Sequence, residues 1–299
     1  MIIAKELTKT FEQFTALDSL STSIPDGSIY GLVGSNGSGK STLLRLLSGI
    51  YKPDGGEVTM DGEMPFENPA VKNQVYFVSD DLYFFPQHTM DGMAKFYGSM
   101  FSTFDQTAYR SMCERFPIDP AKRINTFSKG MKRQVALILA LACQPRYLLL
   151  DEAFDGLDPV IRSGLRKILV DQISERNMTV IISSHNLREL EDLCDFMGLL
   201  HHGKVIFERE IDDVKLGFCK VQAGFSVLPE PASLKALDVM QLEQTGSVVS
   251  MIVRGKSREI LDHMHTLNPL FVETVPLTLE EVFVHEMEAV GYDYNKILF

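Results

Sequence analysis

Residues 34–42 read GSNGSGKST and match the phosphate-binding template G-x-x-x-x-G-K-[S/T] at every fixed position. An apolar run at residues 28–33 precedes this segment, and the amphipathic start of a helix at residues 43–47 follows it. Because glycine lets the backbone curl, successive N–H groups of such a loop point at phosphate oxygens, and the helix adds its positive dipole end. The segment therefore predicts a strand–loop–helix unit that binds a nucleoside triphosphate.

The side chains of this loop have expected roles in holding the triphosphate. We expect Lys40 to reach the β- and γ-phosphates and the Ser41 hydroxyl to ligate Mg²⁺. A glycine-rich turn that happens to contain Lys-Ser is the alternative, and the flanking strand and helix argue against it. The predicted nucleotide-binding residues of the loop are Gly34, Ser35, Asn36, Gly37, Ser38, Gly39, Lys40, Ser41 and Thr42.

The charge balance of the chain is acidic, with 29 lysine and arginine residues against 40 aspartate and glutamate residues. A broad nucleic-acid interface needs a basic surface, so we expect no nucleic-acid partner. A polybasic membrane anchor is likewise unsupported. Hydrophobic residues make up 45% of the chain, which is enough for a full core and argues against extended disorder.

Nothing in the sequence is typical of a targeting or membrane-spanning segment. The first six residues already alternate into a charged stretch. The most apolar helical stretch, residues 135–143, is about half as long as a bilayer span requires. The cysteines are widely separated and form no C-x-x-C pair, as in reduced cytosolic proteins. We therefore expect a soluble chain whose role at a membrane would come through a partner.

Strand-like and helix-like patterns alternate along most of the chain. Residues 75–78, 147–150 and 179–183 are apolar runs typical of buried strands, and residues 159–176 have a helical pattern. Such alternation predicts a mainly parallel sheet with helices on both faces. We expect an α/β fold of the P-loop NTPase type with an N-terminal antiparallel β part and a helical subdomain inserted at about residues 82–143.

The character of the sequence changes near residue 217. From residue 220 onward there is no phosphate motif, and strand-like and helix-like stretches are separated by two proline turns. We predict two domains, a nucleotide-binding domain at residues 1–216 and a small α+β accessory domain at residues 217–299.

Polar residues follow two further apolar strands, where they would meet the phosphate loop at one edge of the sheet. Asp151 ends the first strand, and because a buried acid needs a cationic partner, we predict that it binds Mg²⁺. Glu152 is the candidate general base for an attacking water. His185, after the second strand, is expected to bond the γ-phosphate and hold that water. Helix-capping acids and a structural histidine are the alternatives.

The order of five motifs resembles that of the ATPase subunits of ATP-binding cassette (ABC) transporters. The similarity of general layout covers about residues 1–215. It implies a cassette that binds and hydrolyses ATP with Mg²⁺, and in which Ser128 and Gly130 of a signature loop bind the γ-phosphate held by a second subunit. The motifs are GSNGSGKST at 34–42, FSKGMKRQ at 127–134, YLLLDE at 147–152, DGLD at 155–158 and SSH at 183–185.

The chain departs from the pattern of that family at two places. The family usually has a glutamine after the strand at residues 75–78, and here Asp80 occupies that position. A carboxylate can still bind Mg²⁺ or its water, so Asp80 is a predicted metal ligand, although its charge changes the local balance. The signature loop has Lys129 and Met131 in place of the commoner glycine and glutamine. These variants resemble the branch that pairs with small exporter-type permeases.

The resemblance also implies partners and a location. Such a subunit would form a homodimer, or a heterodimer with another ATPase subunit, and would bind an integral membrane permease at the inner, cytoplasmic face of the cell membrane. Residues 82–104 are rich in aromatic residues and methionine, which suits a groove for a short permease helix or the packing of the helical subdomain. Phe11 stands where the family places an aromatic ring that stacks on adenine.

Two functions remain open from the sequence. The first is an ATPase subunit that drives a transporter, with export favoured by the signature-loop variant. The second is a soluble cassette ATPase that acts on a ribosome or on DNA. The single cassette and the net negative charge argue against this second function. Residues 276–283 resemble the C-terminal segment of exporter-type subunits, and there Thr278 is expected to cap a helix with Glu281 in the capping-box position.

Overall fold

The described residues form two compact units, Met1–Glu208 and a second unit that begins at Arg209. The predicted domain limit, at residues 216 and 217, falls within the second unit and stays a prediction. Residues 282–299 of the predicted accessory domain lie outside the described residues. The computed structural model describes residues 1–229, 231–234, 236–275 and 277–281.

The first unit contains nine strands and seven α-helices among the described residues. Its strands are β1 (Ile2–Phe11), β2 (Phe14–Ile24), β3 (Ile29–Val33), β4 (Gly55–Met60), β5 (Val75–Val78), β6 (Tyr147–Asp151), β7 (Thr179–Ser184), β8 (Phe196–His201) and β9 (Lys204–Glu210). Its α-helices are α1 (Lys40–Leu47), α2 (Pro69–Lys72), α3 (Met90–Met100), α4 (Gln106–Arg115), α5 (Lys129–Ala142), α6 (Pro159–Arg176) and α7 (Leu187–Glu191).

An antiparallel sheet with the order β2-β1-β4 opens the fold. Ile2 lies opposite Ile24 on one side and Met60 on the other, and all three side chains are buried. Alternation of apolar and polar residues gives such a sheet one face toward the core and one toward solvent. The predicted N-terminal antiparallel part is therefore confirmed.

The main sheet has six strands in the order β5-β6-β7-β3-β8-β9. Four neighbouring pairs, β5–β6, β6–β7, β7–β3 and β3–β8, are parallel. Every residue of β3, β6 and β7 is buried, as expected for strands that helices cover on both faces. The register aligns Asp151 with Ser183 and Val33 with Ser184, so the three strands end together. This shared edge places the functional residues side by side.

The segment between β5 and β6 contains α3, α4 and α5, as expected for the inserted helical subdomain. Phe101 has an extended backbone that ends α3, and the Asp105 side chain caps the start of α4. A short 3-10 helix at Ile124–Thr126 precedes α5. No helix among the described residues has the length and hydrophobicity needed to cross a bilayer.

The second unit is a small α+β structure, as predicted. Its antiparallel sheet has the order β11-β12-β10-β13, and the helix α9 contributes Ile260 and Met264 to a core with Val221 and Val253. Its elements are α8 (Ile211–Leu216), β10 (Phe218–Gly224), a 3-10 helix (Pro231–Leu234), β11 (Asp238–Thr245), β12 (Val248–Arg254), α9 (Ser257–Thr266) and β13 (Phe271–Val275).

The expected capping box near the end of the described chain is present. The Glu281 N–H donates to Thr278 Oγ1 at 3.3 Å, and the Thr278 N–H donates to Glu281 Oε2 at 3.0 Å. These reciprocal bonds satisfy two donors that a helix start otherwise leaves open. The remainder of the predicted segment, Pro276 and residues 282–283, lies outside the described residues.

We expect Asp105→Ala to lower the free energy of unfolding by about 1–2 kcal/mol, because one carboxylate caps α4 and also holds a neighbouring segment. Its oxygens accept from the N–H groups of Thr107 and Ala108 at 2.8 and 2.9 Å and from Gln144 Nε2 at 2.9 Å. Urea unfolding measures the change, with Glu114→Ala on the exposed side of α4 as the control. Equal stability of both variants would contradict the assigned cap.

Candidate functional site

The loop between β3 and α1 has a conformation that requires glycine. Gly37 and Gly39 have φ angles of 82° and 112°, in the left-handed region where other residues are strained. A Cβ atom on Gly39 would lie 2.6 Å from the Ala16 carbonyl oxygen, and one on Gly34 would lie 2.3 Å from that of Leu200. Neighbouring backbone therefore encloses the loop on two sides and leaves the position above Gly37 open.

Backbone hydrogen bonds hold the loop from below. The Gly203 N–H, in the turn between β8 and β9, donates to the Ser38 carbonyl oxygen at 2.9 Å, and the Ser38 N–H donates to the Ser35 carbonyl oxygen at 3.1 Å. The buried Ser38 hydroxyl has no hydrogen-bond partner within the described part of the chain. The fit to the predicted triphosphate comes from the open side of the loop, where, beyond its chain neighbours, no described atom lies within 4 Å of the position that a Cβ of Gly37 would take.

Lys40, the first residue of α1, points its ammonium group back at the loop. Nζ donates to the Gly34 carbonyl oxygen at 2.6 Å and lies 3.5 Å from Glu152 Oε1, and the side chain is buried. Burial lowers the pKa of the Lys40 ammonium from its ordinary value, and the charges of Glu152 and Asp151 oppose that shift. A cation held among carbonyl oxygens can transfer to phosphate oxygens at the same place.

Asp151 ends β6 with its carboxylate almost wholly buried. Ser183, its neighbour on β7, donates from Oγ to Asp151 Oδ1 at 2.7 Å. The same Ser183 oxygen accepts from the Glu152 N–H at 3.1 Å. One hydroxyl thus orients the carboxylate and fixes the backbone of the next residue.

Glu152 has an unusual backbone conformation for a residue other than glycine, with a φ of 49°. This conformation directs its carboxylate between Lys40 and His185. Oε2 lies 2.9 Å from His185 Nδ1, while Oε1 faces the Lys40 ammonium. With Glu152 ionised, Nδ1–H donates to it, which leaves Nε2 of the half-exposed imidazole free to point outward. Backbone strain of this kind is concentrated at functional sites.

An open cavity of about 220 Å³ lies over the loop. Two predicted Mg²⁺ ligands, Ser41 and Asp80, line it together with the predicted base Glu152 and nucleotide-binding residues of the loop. Oxygen ligands of this kind, a hydroxyl and carboxylates, are those that Mg²⁺ prefers, so the residues present fit the predicted ion. The lining residues are Phe14, Ala16, Asn36, Gly37, Gly39, Lys40, Ser41, Thr42, Asp80 and Glu152.

Two phenylalanines of the first hairpin occupy different places. Phe14 lines the cavity and is 60% exposed. Phe11 packs edge-to-face on Tyr51 with 5.3 Å between ring centroids, and Lys9 Nζ lies 5.5 Å from its ring. The adenine-stacking role predicted for Phe11 stays a prediction, and Phe14 is a second aromatic ring available for it.

Ser128 and Gly130 lie at the start of α5, not among the residues that line the cavity of their own chain. Ser128 is exposed, and its Oγ caps α5 by accepting from the Met131 N–H at 3.3 Å. A Cβ atom on Gly130 would approach the Gly156 carbonyl oxygen to 3.2 Å. The helix N-terminus is thus presented at the surface, where it can meet an anion on another molecule.

Asp80 lies on the cavity and also makes an ion pair with Arg133 of α5. Arg133 Nη2 donates to Asp80 Oδ1 at 2.6 Å, and Nη1 donates to Asp155 Oδ2 at 2.8 Å and to the Asp155 carbonyl oxygen. Arg133 is only 2% exposed. Its guanidinium holds the pKa of the Asp155 carboxyl below the ordinary value.

Sequence reasoning missed the roles of Ser183 and Arg133. A signal existed for each of them. Ser183 is a polar residue that directly follows the apolar run at residues 180–182 of a buried strand. Arg133 lies one helical turn before Leu137, on the face of α5 that the apolar period assigns to the interior. A buried polar residue needs a partner, so both positions indicated unseen contacts.

The sequence matches the family described as ABC transporter over residues 17–155. It is 30% identical over 284 residues to the ABC transporter ATP-binding protein YtrB of Bacillus subtilis, which covers 95% of this chain and 97% of that protein. It is 32% identical over 212 residues to the linearmycin resistance ATP-binding protein LnrL of the same organism, over 69% and 68% of the two chains. The chain therefore belongs to the family of ABC transporter ATP-binding proteins.

A solved structure is similar in fold to the first unit. It is the dimeric post-hydrolysis state of an ATP-binding cassette bound to ADP and Pi, with a TM-score of 0.61 and 22% identity over 71% of this chain and 99% of that one. The predicted cassette fold is confirmed. The chain is an ATP-binding and ATP-hydrolysing subunit of an ABC transporter, as the motif order indicated, and the ribosome or DNA alternative is set aside.

We expect Ser183→Ala to slow Mg²⁺-dependent ATP hydrolysis about 10- to 100-fold, a range typical of groups that orient metal ligands. The change removes the donor to Asp151 and one of the two acceptors of the Glu152 N–H, since the Ser183 carbonyl oxygen at 3.2 Å remains. Ser183→Thr keeps the hydroxyl and most of the activity. Thr179→Val is the matched control, because the hydroxyl of this buried residue of β7 accepts from the Gly27 N–H at 3.0 Å and makes no described contact with Asp151 or Glu152. Wild-type turnover in Ser183→Ala would refute the role.

The two phenylalanines can be compared directly by ATP binding. Loss of an aromatic stacking partner should weaken ATP binding about 2- to 10-fold. From its place on the cavity we expect this loss in Phe14→Ala, with Phe11→Ala as the matched variant of the same hairpin. A loss confined to Phe11→Ala would instead support the prediction from sequence.

Proposed function

We propose that this chain drives a separate integral membrane permease by closing as a dimer around Mg²⁺–ATP, and that the transporter exports its substrate. The observation that carries the hydrolytic part is the placement of the Glu152 carboxylate, 2.9 Å from His185 and 3.5 Å from Lys40, beside the phosphate loop. A carboxylate at the cavity can accept the proton of an attacking water, because two neighbours fix its orientation.

The residues at the sheet edge divide the work of hydrolysis. Ser41, Asp151 and Asp80 would hold Mg²⁺, which when bound neutralises charge on the phosphates. Lys40 would exchange its loop carbonyl partners for β- and γ-phosphate oxygens. With a proton on each ring nitrogen, His185 would donate from Nε2 to the γ-phosphate and from Nδ1 to Glu152, which orients the ring.

A second copy of the chain, or another ATPase subunit, would complete the site. Ser128 and Gly130 lie at the exposed start of α5, and the N–H groups of that helix start are donors for a γ-phosphate. Asp158, which caps α6 after the turn that follows Glu152, would lie at the interface between the two copies. ATP would favour the closed dimer, and hydrolysis would release it by removing γ-phosphate contacts.

The region after Asp80 offers a surface for the permease. Tyr83 and Met100 are 74% and 60% exposed, and the rings of Phe85 and Phe96 lie 5.0 Å apart in an edge-to-face contact beside them. An exposed aromatic and methionine surface suits an amphipathic helix, which a permease would supply from its cytoplasmic side. The chain would then lie at the inner face of the membrane without crossing it.

Export is favoured by two observations. The signature loop has the Lys129 and Met131 variant that resembles the exporter-type branch. The relative LnrL is named for resistance to linearmycin, and removal of a compound from the cell is one route to resistance. We therefore propose removal of a substrate from the cell as the direction of transport.

Glu152→Gln tests the proposed mechanism. The amide keeps the shape of the side chain but cannot accept the proton, so ATP should persist and the closed dimer should accumulate. Size-exclusion chromatography of the variant with Mg²⁺–ATP, with Mg²⁺–ADP and without nucleotide measures this. We expect a dimer with ATP alone, and turnover below about 1% of the wild type for loss of a general base.

Ser128→Arg in the Glu152→Gln background is the control, since a bulky cation at the start of α5 should block closure without touching the cavity of its own chain. Normal hydrolysis by Glu152→Gln would show that Glu152 is not the base. Dimerisation that persists in the double variant would show that the start of α5 is not the contact. Copurification of the wild type with a membrane protein from detergent extracts tests the permease partner.

A further inference from the structure

One buried cation joins three segments around the cavity. Arg133 binds Asp80, which follows β5, and Asp155, which lies in the turn after Glu152. Its own position is in the first turns of α5, behind Ser128. We call Arg133, Asp80 and Asp155 the arginine cluster.

Within the arginine cluster the cation is buried, whereas both carboxylates are partly exposed. Arg133 is 2% exposed, while the carboxylates of Asp80 and Asp155 are 56% and 42% exposed. A buried guanidinium needs anionic partners, so it holds the carboxylates tightly, whereas the carboxylates retain an open side. For Asp80 that open side is the cavity, which it shares with Ser41.

Asp155 carries the contact onward to the signature loop. Its carboxylate accepts from Arg133 Nη1 and lies 3.6 Å from Lys129 Nζ, and its N–H donates to the Glu152 carbonyl oxygen at 3.3 Å. The turn that contains Asp155 therefore contacts both Glu152 and the start of α5. A change in the hydrogen bonds of Arg133 to Asp80 and Asp155 would therefore affect both Glu152 and the start of α5.

We propose that Arg133 is a positioning residue that competes with Mg²⁺ for the Asp80 carboxylate. Arg133 Nη2 donates to Asp80 Oδ1 at 2.6 Å, and Mg²⁺ that arrives with ATP draws Asp80 away from Arg133. Arg133 then rests on Asp155 alone, and α5 is less firmly held to the segment after β5. The inference rests on the proposed role of Asp80 as a Mg²⁺ ligand.

Thermodynamic linkage predicts the direction in which each substitution changes the affinity for Mg²⁺. If Mg²⁺ weakens the Arg133–Asp80 pair, then the pair must weaken Mg²⁺ binding by the same factor. Removal of Arg133 should therefore tighten the response to Mg²⁺, although it also removes a buried contact. Removal of the other acid, Asp155, should have the opposite effect, because Arg133 then has only Asp80 as its anionic partner within the cluster.

The test measures binding of a fluorescent ATP analogue as a function of Mg²⁺ in the Glu152→Gln background, in which hydrolysis is blocked. The quantity compared is the Mg²⁺ concentration at half-maximal binding. We expect Arg133→Gln to lower it about 5-fold or more, the lower end of typical coupling between sites. Asp155→Asn should raise it, and Asp80→Asn should raise it and abolish the effects of both other changes.

Lys132→Gln is the matched control, since it removes the same charge from the neighbouring residue of α5 and should leave the Mg²⁺ midpoint unchanged. The inference is overturned if Arg133→Gln leaves the midpoint unchanged, or if its effect persists in the Asp80→Asn background. If Arg133→Gln does not fold by circular dichroism, the rise in Asp155→Asn and its loss in Asp80→Asn decide the matter. Should Asp80→Asn alone not change the midpoint, the proposed metal role of Asp80 fails instead.

Discussion

The parallel register of β6, β7 and β3 is the constraint on which the site depends. It aligns Asp151 with Ser183 and ends β3 at the same edge, directly before the phosphate loop. Every residue of these strands is buried, so a slip by one residue would move each side chain to the opposite face and disrupt the packing on both faces. The hydrophobic core thus fixes where a few polar side chains lie, and their chemistry follows from that position.

Charge at this edge is held in place by neighbouring groups rather than by solvent. Lys40 is surrounded by loop carbonyl oxygens and Glu152, and Asp151 is held by the Ser183 hydroxyl. Buried charges are costly, but donors and acceptors that are already oriented need little rearrangement when a ligand arrives. Burial of the surrounding core during folding therefore offsets the free-energy cost of placing these charges.

Most of the fold and the positions of the main site residues could be predicted from local patterns. The helix at Pro159–Arg176 and the strand at Val75–Val78 have the predicted bounds, because period, caps and proline act within a few residues of sequence. The grouping of Lys40, Glu152 and His185 followed from strand ends that meet at one edge. Their roles in catalysis remain predictions.

Contacts between distant segments could not be predicted in the same way. Arg133 forms an ion pair with Asp80, which is 53 positions away in sequence. No local pattern indicates which acid a buried arginine will pair with. The choice between Phe11 and Phe14 depends on the path of a hairpin with irregular register, which residue spacing does not determine. The capping role of Asp105 likewise depends on the end of α3 at Met100 and the start of a new helix, α4, after Asp105.

The backbone that encloses the phosphate loop has a further consequence. The Leu200 and Ala16 carbonyl oxygens enclose the loop, and the Gly203 N–H holds it in a curled form. A loop that is already shaped loses little conformational freedom when it takes up a nucleotide. More of the free energy of nucleotide binding is then available to move other parts of the molecule. A subunit that drives a conformational change in a separate permease requires this.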